Sequence, residues 1–301
     1  MIFLLLAVIS SGMIAVIFKF SEEKQSNRLA ITTFNYINAS IISFLLLPSK
    51  KIFDTNWFHF FYSEVNGVLL GGNMFSSEAS AAWAFILGSI TGILYFSSFW
   101  LYQYSVNKNG AALSATFMKL GILIPTLLSI LFFKEIPGVL QVFGICLAVI
   151  GILIINLSMK KDTLKSIKID LLLLFIIGGL GSFNSKVYQS FGQAEYKELF
   201  IFYIFAAALV ASSLMLLIRN RRVKAMDIMI GLVVGIPNQF TSYFLIRSLS
   251  DIKASVAFPI FSTGTILFVN IVNIVFFKEK LTRKQYIAVG FIIVSLIFLN
   301  I

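Results

Sequence analysis

Residues 111–156 read AALSATFMKLGILIPTLLSILFFKEIPGVLQVFGICLAVIGILIIN, two long apolar runs either side of Phe132-Phe133-Lys134-Glu135. Five residues separate Glu135 from Gln141, where the second run begins. The pattern returns over residues 254–301. An apolar run ends in Phe276-Phe277-Lys278-Glu279, five residues lead to Gln285, and another apolar run follows. An internal repeat constrains a fold more than any single element does, so the two junctions set the frame for the rest of the chain.

Working outward, the 301 residues are 58% hydrophobic and 12% charged, with a mean hydropathy of +0.93. That composition excludes an ordinary soluble domain and fits a polytopic membrane protein. The single cysteine, Cys146, lies inside an apolar run and has no intrachain partner for a disulfide, so it reads as a small hydrophobe. The one histidine, His59, leaves no His/Cys cluster for a metal and no Ser/His/Asp or Cys/His set for covalent catalysis. No cofactor and no enzymatic activity are expected. The net charge of +11 comes from basic residues lying between apolar runs. That placement sets topology rather than binding nucleic acid.

A helix needs about 20 apolar residues to cross a bilayer core of roughly 30 Å. By that rule ten spans are expected, at about 2–20, 29–48, 81–104, 109–133, 138–157, 169–191, 197–218, 226–248, 252–277 and 284–300. The first is read as a retained span, because only Met1 precedes it and no small-residue cleavage site closes it. The expected fold is an all-α integral membrane protein whose ten transmembrane helices form two five-helix repeats, residues 1–158 and 168–301. An odd number of spans per half inserts the halves in opposite directions, which makes the repeat inverted. One long connection, about 49–80, carries Asn56-Trp57-Phe58-His59-Phe60-Phe61-Tyr62, an aromatic cluster of the kind that lies at the membrane interface.

The two Phe-Phe-Lys-Glu junctions, Ile124-Pro125-Thr126-Leu127-Leu128 and the opening Gly12…Lys19 segment resemble the drug/metabolite transporter superfamily, close to its EamA-type ten-span carriers. The resemblance covers both halves. It implies a secondary transporter of a small polar metabolite in a bacterial plasma membrane, with export of amino acids or related carboxylate-bearing solutes as the expected activity. Uptake of a sugar or nucleoside is the alternative within transport, and a membrane enzyme or a scaffold lies outside it. The expected partners are a small-molecule substrate and the lipid bilayer, with the carrier a monomer or homodimer.

Orientation is open at this level. Sixteen basic residues fall in connections after odd-numbered spans and six on the opposite side, which puts both termini outside. The resemblance implies both termini inside.

Polar residues within the spans carry the functional reading. Lys119 lies ten residues from Asn109 and fourteen from Phe133. At 1.5 Å per residue that is roughly 15–21 Å from either end, near the midplane. A lysine there costs on the order of 3 kcal/mol in lipid, so it faces protein, water or an anionic substrate group. Lys186 is a further candidate substrate contact, but it lies nearer its span end, where its stem is also expected to snorkel to the interface. Prolines 125, 237 and 259 interrupt hydrogen bonding inside spans, and Pro237 is followed by Asn238 and Gln239. Tyr95, Trp100 and Asn184 complete the expected substrate contacts. Asparagines in spans also act as helix–helix glue. The Phe-Phe-Lys-Glu junctions are read as structural connectors.

Overall fold

The computed structural model describes residues 1–22, 26–47, 56–156, 168–219, 222–278 and 282–301. Among these the chain is helical, with no strand. Twelve α-helices follow in order: α1 (Ile2–Glu22), α2 (Arg28–Leu45), α3 (Asn56–Gly71), α4 (Ser77–Asn109), α5 (Ala111–Leu120), α6 (Leu123–Phe133), α7 (Val139–Asn156), α8 (Ile169–Phe191), α9 (Lys197–Arg219), α10 (Ala225–Ser248), α11 (Ala254–Val275) and α12 (Arg283–Leu299). A 3-10 turn, Ala194–Tyr196, precedes α9. Seven segments are long and apolar enough to cross a membrane: Ile2–Lys19, Ser77–Asn109, Leu113–Phe133, Ile169–Phe191, Ala194–Arg219, Ala225–Ser248 and Ala254–Val275. Helices α2, α7 and α12, with 18, 18 and 17 residues, stand outside that set.

The doubled junction has the same physics at both sites. Lys134 and Lys278 each take φ 53°, and they are the two non-glycine residues with positive φ among the described residues. A left-handed residue turns the chain out of the α region: Lys134 is the C-cap of α6, while Lys278 stands two residues beyond Phe276, the C-cap of α11. Gln141 then reaches back to accept from the Gly138 backbone N–H at 2.9 Å, and Gln285 accepts from the Thr282 N–H at 2.8 Å. Each glutamine thus helps cap the helix it opens, satisfying an orphan donor. Glu135 Oε2 accepts from the Ala254 and Ser255 N–H groups at 2.6 and 3.3 Å, placing a carboxylate on the N-terminus of α11. Glu279 and the linker 157–167 lie outside the described residues.

The helices gather into two compact units that cut across the sequence halves. The first comprises Met1–Gly12, Ser97–Phe183 and Asp251–Ile301, and the second Met13–Phe96 and Asn184–Ser250. Close backbone approaches at glycine organise both. In the first unit Gly264 faces Val8, bringing α1 and α11 together, while Gly121 and Gly179 bring the α5–α6 pair against α8. Gly144 and Gly151 seat α7 on α12 in antiparallel register, facing Leu299 and Ile292 in turn. In the second unit Gly88 and Gly92 meet Phe200 and Ile204 of α9, and Gly231 and Gly235 meet Ile31 and Asn35 of α2. Both are Gly-x-x-x-Gly pairs, the spacing that lets membrane helices approach closely.

The second unit also holds an aromatic core. In α3, Trp57 and Phe61 are buried while Phe60 and Tyr62 are exposed. The Phe61 ring stacks on Trp83 of α4 at 6.0 Å, with Phe75 against both. The sequence's aromatic cluster is thus half of an amphipathic helix packed on α4. Asp227 is fully buried and accepts from the backbone N–H groups of Lys224 (2.9 Å) and Asn27 (3.0 Å). One carboxylate therefore ties together the starts of α10 and α2.

Candidate functional site

The expected fourth span is broken. Proline 125 has no N–H for the Gly121 carbonyl, and its ring crowds that carbonyl. Ile124 N–H takes the acceptor instead, at 3.0 Å in an i→i+3 bond, and the Ile122 N–H bonds the Lys119 carbonyl at 3.3 Å. The chain therefore leaves α5 at Leu120 and re-enters a helix at Leu123. Pro237 and Pro259 do not break their helices, since α10 and α11 run through them. The expectation of three proline breaks is corrected to one, at the site where a glycine supplies the freed carbonyl. Beyond each of the other two prolines a threonine hydroxyl bonds the proline carbonyl, Thr241 at 2.7 Å and Thr263 at 2.6 Å.

Lys119 occupies the last turn of α5, directly before the break. It is half-buried, and no hydrogen bond or ion pair to its ammonium is present among the described residues.

The other expected residues divide between the units. Trp100 lies in the first unit with Lys119; Tyr95, Asn184, Lys186, Pro237, Asn238 and Gln239 lie in the second. Within the second unit Asn184 Nδ2 donates to Thr91 Oγ1 at 3.1 Å, tying α8 to α4. Asn238 Nδ2 donates to Asn35 Oδ1 at 3.0 Å, tying α10 to α2. Gln239 is 1% exposed, with no partner on its Oε1 among the described residues. It continues the Gly231–Gly235 row by one turn, the stripe that faces α2. Asn184 and Asn238 thus link neighbouring helices.

Lys186 differs from expectation. It is 7% exposed and does not snorkel outward; its ammonium donates to Gln189 Oε1 at 2.6 Å. Residues three apart share a helix face, which puts the Gln189 amide within reach of the ammonium. Sequence reasoning passed over Thr91 and Gln189, because a neutral hydroxyl or amide gains a role only through the neighbour it meets in the fold.

Trp100 lines an open groove of about 510 Å³ at the junction of α4 and α8. Trp100 and Tyr104 stack at 6.0 Å and 17°, and the Lys108 ammonium sits 5.6 Å above the Tyr104 ring. Lys108 forms a 3.0 Å ion pair with Asp170, which also accepts from Asn109 Nδ2. Lys168 is exposed at the rim. The spacing Trp100, Tyr104, Lys108 was legible as a single helix face, four residues apart each time.

Taken together, the helices of the described residues, seven apolar segments of membrane-crossing length among them, and their buried intrahelical polar groups define a multi-pass membrane protein. More particularly, the chain belongs to the EamA-like transporter family, which matches residues 1–157 and 167–301. A solved structure described as "Crystal structure of protein" is similar in fold, with a TM-score of 0.71 at 11% identity over 99% of this chain and 94% of that one. No curated protein matches.

Proposed function

We propose that the chain is a ten-span secondary carrier, built as two inverted five-helix halves, that moves a small polar metabolite bearing a carboxylate or another anionic group across the plasma membrane. The observation that carries the substrate class is Lys119, a half-buried ammonium at a broken span with no internal partner among the described residues. A structural lysine would be paired with carbonyls or polar side chains. An anionic substrate group supplies what the protein does not. The amides are less suited to a sugar or nucleoside reading, since Asn184 and Asn238 already bond across helices.

Helix parity supports ten crossings. In ten alternating spans α1 and α11 are the first and ninth, α2 and α10 the second and eighth, and α4 and α9 the third and seventh. Each pair should run parallel, and the glycine contacts do: Gly231 and Gly235 meet Ile31 and Asn35 in ascending order. Helices α7 and α12, fifth and tenth, should run antiparallel, as Gly144 and Gly151 against Leu299 and Ile292 show. Exchanging the halves turns the α1–α11 contact into the α8–α5/α6 contact, and α4–α9 into α10–α2. The matched junctions at Lys134 and Lys278 fit the same exchange. Export is favoured by the family resemblance.

A thermal-shift screen of the purified carrier tests the substrate class, because a ligand that binds the folded state raises apparent stability by mass action. Carboxylate-bearing metabolites should stabilise the wild type and lose that effect in Lys119→Gln, which keeps length and hydrogen bonding. Stabilisation confined to neutral sugars or nucleosides would overturn the assignment.

A further inference from the structure

We infer that the groove between α4 and α8 is a binding site for the phosphate headgroup of an anionic phospholipid. The occupant is argued from the polarity gradient along the groove. Lys108 and Lys168 stand at its rim with Asp170, which neutralises one of the two ammonium groups and leaves a net positive charge. One turn deeper lie Tyr104, 47% exposed, and Leu173, 42% exposed. A further turn in are Trp100 and Leu101. From Lys108 to Trp100 is eight residues of helix, or about 12 Å of depth.

That order of chemistry, a charged rim interrupted by Ile169, then Tyr104 beside Leu173, then Trp100 beside Leu101, matches a lipid from phosphate through glycerol to acyl chain. A soluble phosphate would find no use for the apolar depth. The Lys108–Asp170–Asn109 network fixes the α4 end of the groove. Lys168 is the charge left to meet the headgroup. Tyr104 lies against the Trp100 ring and beneath the Lys108 ammonium, the mixed aromatic and basic setting in which interfacial tyrosines are found.

The test is lipid binding to the full-length purified protein in a neutral detergent, read by native mass spectrometry. Phosphatidylglycerol is compared with phosphatidylcholine of the same acyl chains and with inorganic phosphate as competitor. Lys168→Gln is the probe; Lys284→Gln removes another exposed basic residue outside the groove. The expected result is preferential binding of phosphatidylglycerol, weakened about fivefold by Lys168→Gln, the worth of one lysine near an anionic surface. Lys284→Gln should leave it unchanged, and free phosphate should not displace it. Equal binding of the two lipids would show that headgroup charge is not read, equal losses in the two variants would show diffuse charge attraction, and either result would overturn the site. Displacement by phosphate alone would make it a soluble-anion site and overturn the lipid assignment.

Discussion

Replacing Gly92 with alanine tests the packing of α4 on α9. An alanine Cβ at this position would lie 2.2 Å from the Ile204 carbonyl oxygen, 2.9 Å from the Ala207 Cβ and 3.0 Å from the Ala208 nitrogen. The first contact is about 1 Å inside an ordinary carbon–oxygen distance, and two of the three atoms belong to backbone, which cannot rotate away. The helices must therefore part. A radial gap of about 0.5–1 Å forfeits a quarter to a half of each dispersion contact along the seam. Overpacking of this kind costs about 1–3 kcal/mol, and the backbone contact puts Gly92→Ala at the upper end. Gly290→Ala on α12 is the matched control, since nothing lies within 4 Å of its Cβ. It should be neutral or stabilising by up to about 1 kcal/mol through helix propensity. Thermal denaturation of the two variants in one detergent reads the difference. A Gly92→Ala protein as stable as wild type, or a Gly290→Ala protein destabilised equally, would refute the seam.

Glu135→Ala should destabilise by about 1–2 kcal/mol, because it strips a charged acceptor from two N–H groups at the start of α11, whereas Glu135→Gln keeps an acceptor and should lose less; denaturation of the two variants checks the order. In a Cys146→Ala background, cysteines substituted for Asn27 and His59 should label from opposite sides of the membrane, as should those for Ile136 and Lys168 and for Thr282 and Ile301. Same-side labelling of any pair would remove α2, α7 or α12 from the set of crossings.

Much of this was legible in the sequence because membrane solvent leaves few options. Backbone groups in lipid must pair within a helix, so the apolar runs fixed helical elements at nearly the observed places. The doubled Phe-Phe-Lys-Glu-x5-Gln was legible as a pattern. Its mechanism, a left-handed lysine and a glutamine reaching back to cap, depended on coordinates. Three proline breaks were expected and one formed: only Pro125 has a glycine, Gly121, at the carbonyl it strands, where Val233 and Ser255 precede the other two. Lys186 was misplaced for a related reason. Its depth could be counted along the helix, but Gln189 as its partner depends on side-chain direction. The two Gly-x-x-x-Gly pairs were readable by spacing, yet which helix each would meet was not, since that choice is made in tertiary packing.

The central claim is that Lys119 contacts an anionic group of a transported metabolite. The direct measurement is counterflow of a labelled carboxylate-bearing ligand in proteoliposomes, comparing wild type with Lys119→Gln at equal incorporation. Loss of one charged hydrogen bond, worth about 1.5–3 kcal/mol, predicts a fall of roughly ten- to a hundredfold in apparent affinity with normal folding. Saturable counterflow in the wild type with that loss in the variant is the result expected. Equal counterflow by the two proteins would contradict it.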